Sequence, residues 1–154
     1  MDKLNNLFKI AEDNEIAIEY VKLQKNIYGI YYKEPDLIPA IGINKKIMND
    51  KKLLTCVLAE ELGHHFTTIG DLTAEYYCYN DRVLIDKAEL LALKWAAHAL
   101  LTPAEIVHAF HNNNNTAECA DVLGITEDFL KRSIEIFKNE NLFDSKNTDI
   151  NIFF

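Results

Sequence analysis

Ala59-Glu60-Glu61-Leu62-Gly63-His64-His65-Phe66 is the stretch that decides how the rest of the chain is read. It lies inside a longer apolar run with helical spacing, Asp50 to Phe66, and Asn49 or Asp50 can cap its start. Leu53, Leu54, Val57, Leu58 and Leu62 form its core face. Two adjacent carboxylates and two adjacent imidazoles in such a run carry a desolvation cost, and buried charges are usually paired or bound to metal. Residues at i and i+4 share one helical face, so Glu60 and His64 can reach a single ion. Glu61 projects roughly 100° further around the axis, where a carboxylate can hold a water without being a ligand.

This is the layout of the H-E-x-x-H metal motif, with Glu60 where the first His normally stands. A hydrolytic zinc site takes about three protein ligands and keeps one position open for water. The third ligand is expected from Glu89 in a second long helix, about Asp86 to Leu101. Ala92 and Ala96 follow Glu89 at i+3 and i+7, and small residues on that face let the two helices come close. Glu61 then takes the place of general base, receiving a proton from water and passing it to a leaving amine. The plainer alternative is that Glu60 and Glu61 are solvated helix charges, with His64 and His65 favourable near the helix C-terminus. A shifted frame, Glu61 with His65, has the same spacing but leaves no adjacent glutamate to act as base on the expected side.

Outward from the motif, Leu4, Leu7, Phe8 and Ala11 mark an amphipathic first helix. Ile16–Val21, Ile27–Tyr32 and Leu37–Ile43 read as strands, with Lys33-Glu34-Pro35-Asp36 as a turn, giving a small antiparallel three-stranded sheet. Gly70-Asp71 breaks the chain after the motif, and the tyrosine-rich stretch Leu72–Asp81 is left unassigned. Thr102-Pro103-Ala104-Glu105 is a capping box with proline at the first helical position. His111-Asn112-Asn113-Asn114-Asn115 is a polar break and the expected domain boundary, dividing residues 1–110 from a small helical extension, 111–154. In that extension Thr116–Leu123 and Glu127–Lys138 read as helices joined through Gly124. The tail from Asp144 is expected to be loosely held, with Ile150, Ile152, Phe153 and Phe154 available to dock. The expected class is α+β, mostly helical.

The chain has 154 residues, 49% of them hydrophobic, enough for a core in one ordinary domain. Its formal charge of −8 argues against holding nucleic acid through phosphate neutralisation. Met1-Asp2-Lys3-Leu4 begins no basic-then-apolar signal, and Leu90–Leu101, broken by Lys94 and His98, is too short for a bilayer. Cys56, Cys78 and Cys119 are odd in number and far apart, as buried thiols in a reducing compartment would be. A cytoplasmic protein with no membrane partner is expected. Helices 116–123 and 127–138 have a helix-turn-helix outline, but Glu127, Asp128 and Glu135 offset Lys131, Arg132 and Lys138, so partner docking or packing is expected over DNA contact. His98, His108 and His111 occupy ordinary helix positions. Tyr76, Tyr77 and Tyr79 are packing residues or a transition-state donor, and the residues alone do not choose between the two.

Taken together, Leu58–Phe66 and Glu89–Ala96 resemble the ImmA/IrrE-type metallopeptidases. The first segment resembles the family's active-site helix, with Gly63 before a ligand His and a second His after it; the second resembles its other signature, a ligand Glu, then Ala, then an aromatic followed by Ala. The order of elements is also similar, over most of residues 1–110. The resemblance implies a compact zincin-like fold and a zinc endopeptidase that cleaves a helix-turn-helix repressor of a phage or mobile element. It places Glu61 as base and His64 and Glu89 as ligands beside Glu60. Glu60 in the first ligand position departs from the usual His. Such a site is harder and less zinc-selective, so Mn2+ or Fe2+ is an alternative, as is a non-catalytic regulatory or partner-binding module that keeps the fold. The step from Glu89 to Pro103 is one residue longer than the pattern.

Overall fold

The structure is a computed structural model, and the residues described are 2–67 and 79–143, those of 79–85 by backbone alone. The unassigned stretch around Tyr76 and Tyr77, the side chain of Tyr79, the break at Gly70-Asp71, Cys78 and the tail from Asp144 lie outside them. Element order is α1 (Lys3–Asp13), β1 (Ala17–Val21), β2 (Gly29–Tyr32), β3 (Ala40–Asn44), a 3-10 turn (Lys45–Ile47), α2 (Lys51–Thr67), α3 (Tyr79–Leu100), α4 (Pro103–Asn112), α5 (Thr116–Leu123) and α6 (Glu127–Asn139). The class is α+β. α3 starts at Tyr79 rather than at Asp86, where the apolar spacing begins.

The sheet is mixed, not wholly antiparallel. Its order is β1-β3-β2, with β3 antiparallel to β2 and parallel to β1. The short turn at 33–39 makes β2 and β3 antiparallel neighbours. β3 takes the centre because Ile41, Ile43 and Asn44 are its most buried side chains. The chain between β1 and β2 then crosses the end of β3 from one edge to the other. β1 therefore leaves the sheet where β2 enters it, which makes β1 parallel to β3.

Asn44 secures that crossing. Its side-chain N–H donates to the carbonyls of Ile27 at 2.7 Å, Gln24 at 3.3 Å and Leu23 at 3.5 Å. Its backbone N–H donates to Tyr28 O at 2.8 Å. Asn44→Ala leaves these part-buried carbonyls short of a donor and is expected to cost ~1–2 kcal/mol, the scale of a lost hydrogen-bond partner at a partly buried site. Urea unfolding checks this; a loss below ~0.5 kcal/mol would show that water replaces the amide without penalty.

Contacts divide the chain into two units, Met1–Ala96 and Ala97–Phe154. The boundary thus falls at 96–97 rather than at the polar run near 110–111, because α4 packs on α5. In the first unit α2 packs against α1, β2 and β3. Leu7 and Ala11 of α1, Ile41 and Ile43 of β3, and Leu54, Leu58 and Leu62 of α2 form its buried core. In the second unit Ile106, Ile125, Phe129, Leu130, Ile134 and Phe137 are buried. The Thr102–Glu105 capping box forms as the sequence requires. Gly124 closes α5 at φ 71°, the left-handed conformation that favours glycine. Among the described residues no single helix is long and apolar enough to cross a membrane.

Candidate functional site

Asp50 caps the start of α2, its side-chain oxygen accepting the Leu53 N–H at 3.1 Å. From there the helix carries Glu60, Glu61, His64 and His65 along one and a half turns. Its neighbour is α3, and the two backbones nearly touch. A Cβ built on Gly63 would lie 2.3 Å from Ala92 O, 2.8 Å from Ala92 C and 2.9 Å from Ala92 Cα. Ala92 and Ala96 are buried, as their spacing from Glu89 predicts. Phe66 stacks on Trp95 with ring centroids 4.8 Å apart, which extends the contact along both helices.

This close approach brings His64 Nε2 to 3.4 Å from Glu89 Oε1. Two ligands of one tetrahedral zinc, each bonded at about 2.0–2.1 Å, sit about 3.3–3.4 Å from one another. The pair therefore has the spacing a shared ion needs, and its donor set is a carboxylate with an imidazole. Glu60 stands one turn before His64, half-buried and near enough to act on both Glu61 and His64 through its charge. Among the described residues no three His, Cys, Asp or Glu side chains converge tightly enough to hold an ion as they stand.

Glu61 stands on α2 near enough to this pair to feel both charges, and its carboxyl reaches the sheet beside Gly29 of β2. Burial pushes its carboxyl up to about 7, with the charges of Glu89 and Glu60 adding to the rise; the His64 charge and a hydrogen bond from the Tyr31 backbone N–H oppose it. The His64 imidazole is raised above its ordinary value, chiefly by its hydrogen bond to Glu89, against burial. His65 is lowered by burial and by the Lys33 charge. Its Nδ1 is 2.9 Å from the Tyr31 hydroxyl, and its ring meets those of Tyr31 and Phe66 edge-on. Burial raises the Tyr31 phenol.

The geometry separates the two possible frames. His64 faces Glu89, whereas Glu61 and His65 both face Tyr31 of β2. Of the residues named for the first frame, the structure brings His64 and Glu89 together and sets Glu61 beside them, within reach of both charges. The other histidines have different partners. His98 Nε2 is 2.7 Å from Glu140 Oε2, and His108 Nδ1 is 3.3 Å from Asn112 Nδ2, both within the second unit. On α6, Lys131 pairs with Glu127 at 2.7 Å and Arg132 with Asp128 at 3.0 Å, so these two basic side chains are matched by acids of the same helix.

Two residues at the site, Gly29 and Tyr31, went unread in the sequence. A glycine inside the strand-like run Ile27–Tyr32 is the available signal, since glycine in a strand often marks a close approach. No protein-family model, characterised protein or solved structure matches this chain.

Proposed function

We propose that this chain is a metal-dependent endopeptidase of the cytoplasm, with a helix-turn-helix repressor protein as substrate. The observation that carries the reading is the approach of His64 Nε2 to Glu89 Oε1 at 3.4 Å, from two helices whose backbones meet at Gly63 and Ala92. His64 and Glu89, with Glu60 one turn earlier, would hold a divalent ion, zinc first and manganese or iron as alternatives. Such an ion polarises a scissile carbonyl and acidifies water. Glu61 takes a proton from the attacking water onto its carboxylate and delivers it to the leaving nitrogen. Its partial burial beside the sheet keeps it from bulk water. The repressor substrate rests on the family resemblance of the two helical segments.

A second reading is a partner-binding module without catalysis. Glu60 in the first ligand position favours it, as does the lack of a converged third donor among the described residues. Intact-mass spectrometry of a helix-turn-helix repressor, incubated with the zinc-loaded protein, separates the two. One defined cut, prevented by a chelator, is the result expected of the peptidase. Stable complex formation with an uncut repressor would favour the module.

A further inference from the structure

Two separate features of β2 converge on the Glu61 carboxylate. The first is a donor. The Asn44 N–H bond to Tyr28 O makes that pair a hydrogen-bonded one, so in the antiparallel register Ile30 and Tyr32 also bond toward β3. Gly29 and Tyr31 therefore turn their backbone groups away from β3, to the side of β2 that no described strand pairs, and there the Tyr31 N–H donates to Glu61. The second is space. A Cβ on Gly29 would lie 2.6 Å from Glu61 Oε1, 2.8 Å from Glu61 Cγ and 2.7 Å from Val57 Cγ1. The carboxylate and its methylene fill the place where any other residue would carry a side chain. Tyr31 is tied again one helical turn further on, through its hydroxyl and His65 Nδ1 at 2.9 Å.

We infer that Gly29 and Tyr31 are positioning residues for Glu61: the Tyr31 amide holds the carboxylate, and the missing Gly29 side chain leaves room for it. For its catalytic consequence this inference rests on the peptidase reading; for its geometry it does not. A carboxylate left to rotate about its side-chain bonds spends little time at the attacking water. A misplacement of about 1 Å can cost about 100-fold in rate. The hydroxyl–His65 contact is a brace on the strand, so removing it should matter less than adding a methyl group at Gly29.

The test uses the full chain with three variants, Gly29→Ala, Glu61→Ala and Tyr31→Phe, read by residue-resolved amide hydrogen exchange and by repressor cleavage. The Tyr31 amide, though it faces no described strand, should be protected in the wild type. That protection should be lost in Glu61→Ala and in Gly29→Ala, while the Ile30 and Tyr32 amides stay protected and report an intact sheet. Tyr31→Phe should keep it. In cleavage, Gly29→Ala should lower kcat about 100-fold with KM little changed. An unprotected Tyr31 amide in the wild type, protection unaltered in Gly29→Ala, or an undiminished kcat in Gly29→Ala would overturn the inference. If the wild type cuts nothing, the peptidase reading fails, and the exchange pattern alone still decides whether Gly29 and Tyr31 seat Glu61.

Discussion

Glu61→Gln is expected to abolish peptide cleavage while leaving metal content unchanged. The amide keeps the size and shape of the carboxylate, so neither the seat on β2 nor the helix contact at Gly63 is disturbed. It cannot accept a proton from water, and loss of a positioned general base costs about 100- to 10,000-fold. The same variant should be more stable than wild type once both are stripped with a chelator. Burial raises the folded Glu61 carboxyl to about 7 from an ordinary value of 4.5. The folded state thus keeps a proton that the unfolded chain releases, and wild-type stability falls as pH rises between those two values. Glutamine has no proton to lose. The two proteins should match below the lower value, and Glu61→Gln should gain on the order of 3 kcal/mol above the upper one. Urea unfolding at acid and mildly alkaline pH measures this difference. Retained cleavage by Glu61→Gln would rule out Glu61 as the base, and an equal stability at both pH values would show that its burial carries no penalty.

The second large effect is expected at Gly63. A methyl group there meets the backbone of Ala92, with its oxygen at 2.3 Å, and no rotamer can move a main-chain atom aside. Carbon contacts normally rest at about 3.5–4.0 Å, so α2 and α3 must part by about 1 Å or more. Gly63→Ala should cost ~3 kcal/mol or more, at the upper end of overpacking in a filled core. It should also separate His64 from Glu89 and weaken metal binding by about 10- to 100-fold, as when the support of a metal ligand is removed. Ala92→Gly should not rescue it, because the clash is with main-chain atoms that glycine also has. Thermal unfolding and metal titration of the single and double variants check each part. A Gly63→Ala protein with wild-type stability and affinity would mean that the two helices do not depend on this contact.

The helices were legible in the sequence because their signals are local. The Thr102–Glu105 capping box, Asp50 ahead of α2, Thr126 ahead of α6 and the apolar spacing of α1 each act within a turn or two of chain. The approach of α2 to α3 was legible as well, because Ala92 and Ala96 sit at helical intervals from Glu89. The parallel pairing of β1 with β3 was not. It depends on where the chain crosses the sheet, and Asn44 is bonded to carbonyls about twenty residues earlier along the chain. Nothing in the run Ile27–Tyr32 tells that α2 sets the Glu61 carboxylate against Gly29, because that contact is made 32 residues along the chain. His64 and Glu89 come together as their positions implied, while Glu60 was chosen by helical spacing, which fixes a face but not a distance.

Metal content tests the central claim most directly. Protein purified without chelators is offered zinc, manganese and iron in turn and dialysed, and its bound metal is counted by elemental mass spectrometry beside His64→Ala and Glu89→Ala. Near-stoichiometric metal in the wild type, lost in both variants, is the predicted result. No metal in the wild type under any loading, or metal retained in both variants, would contradict the site.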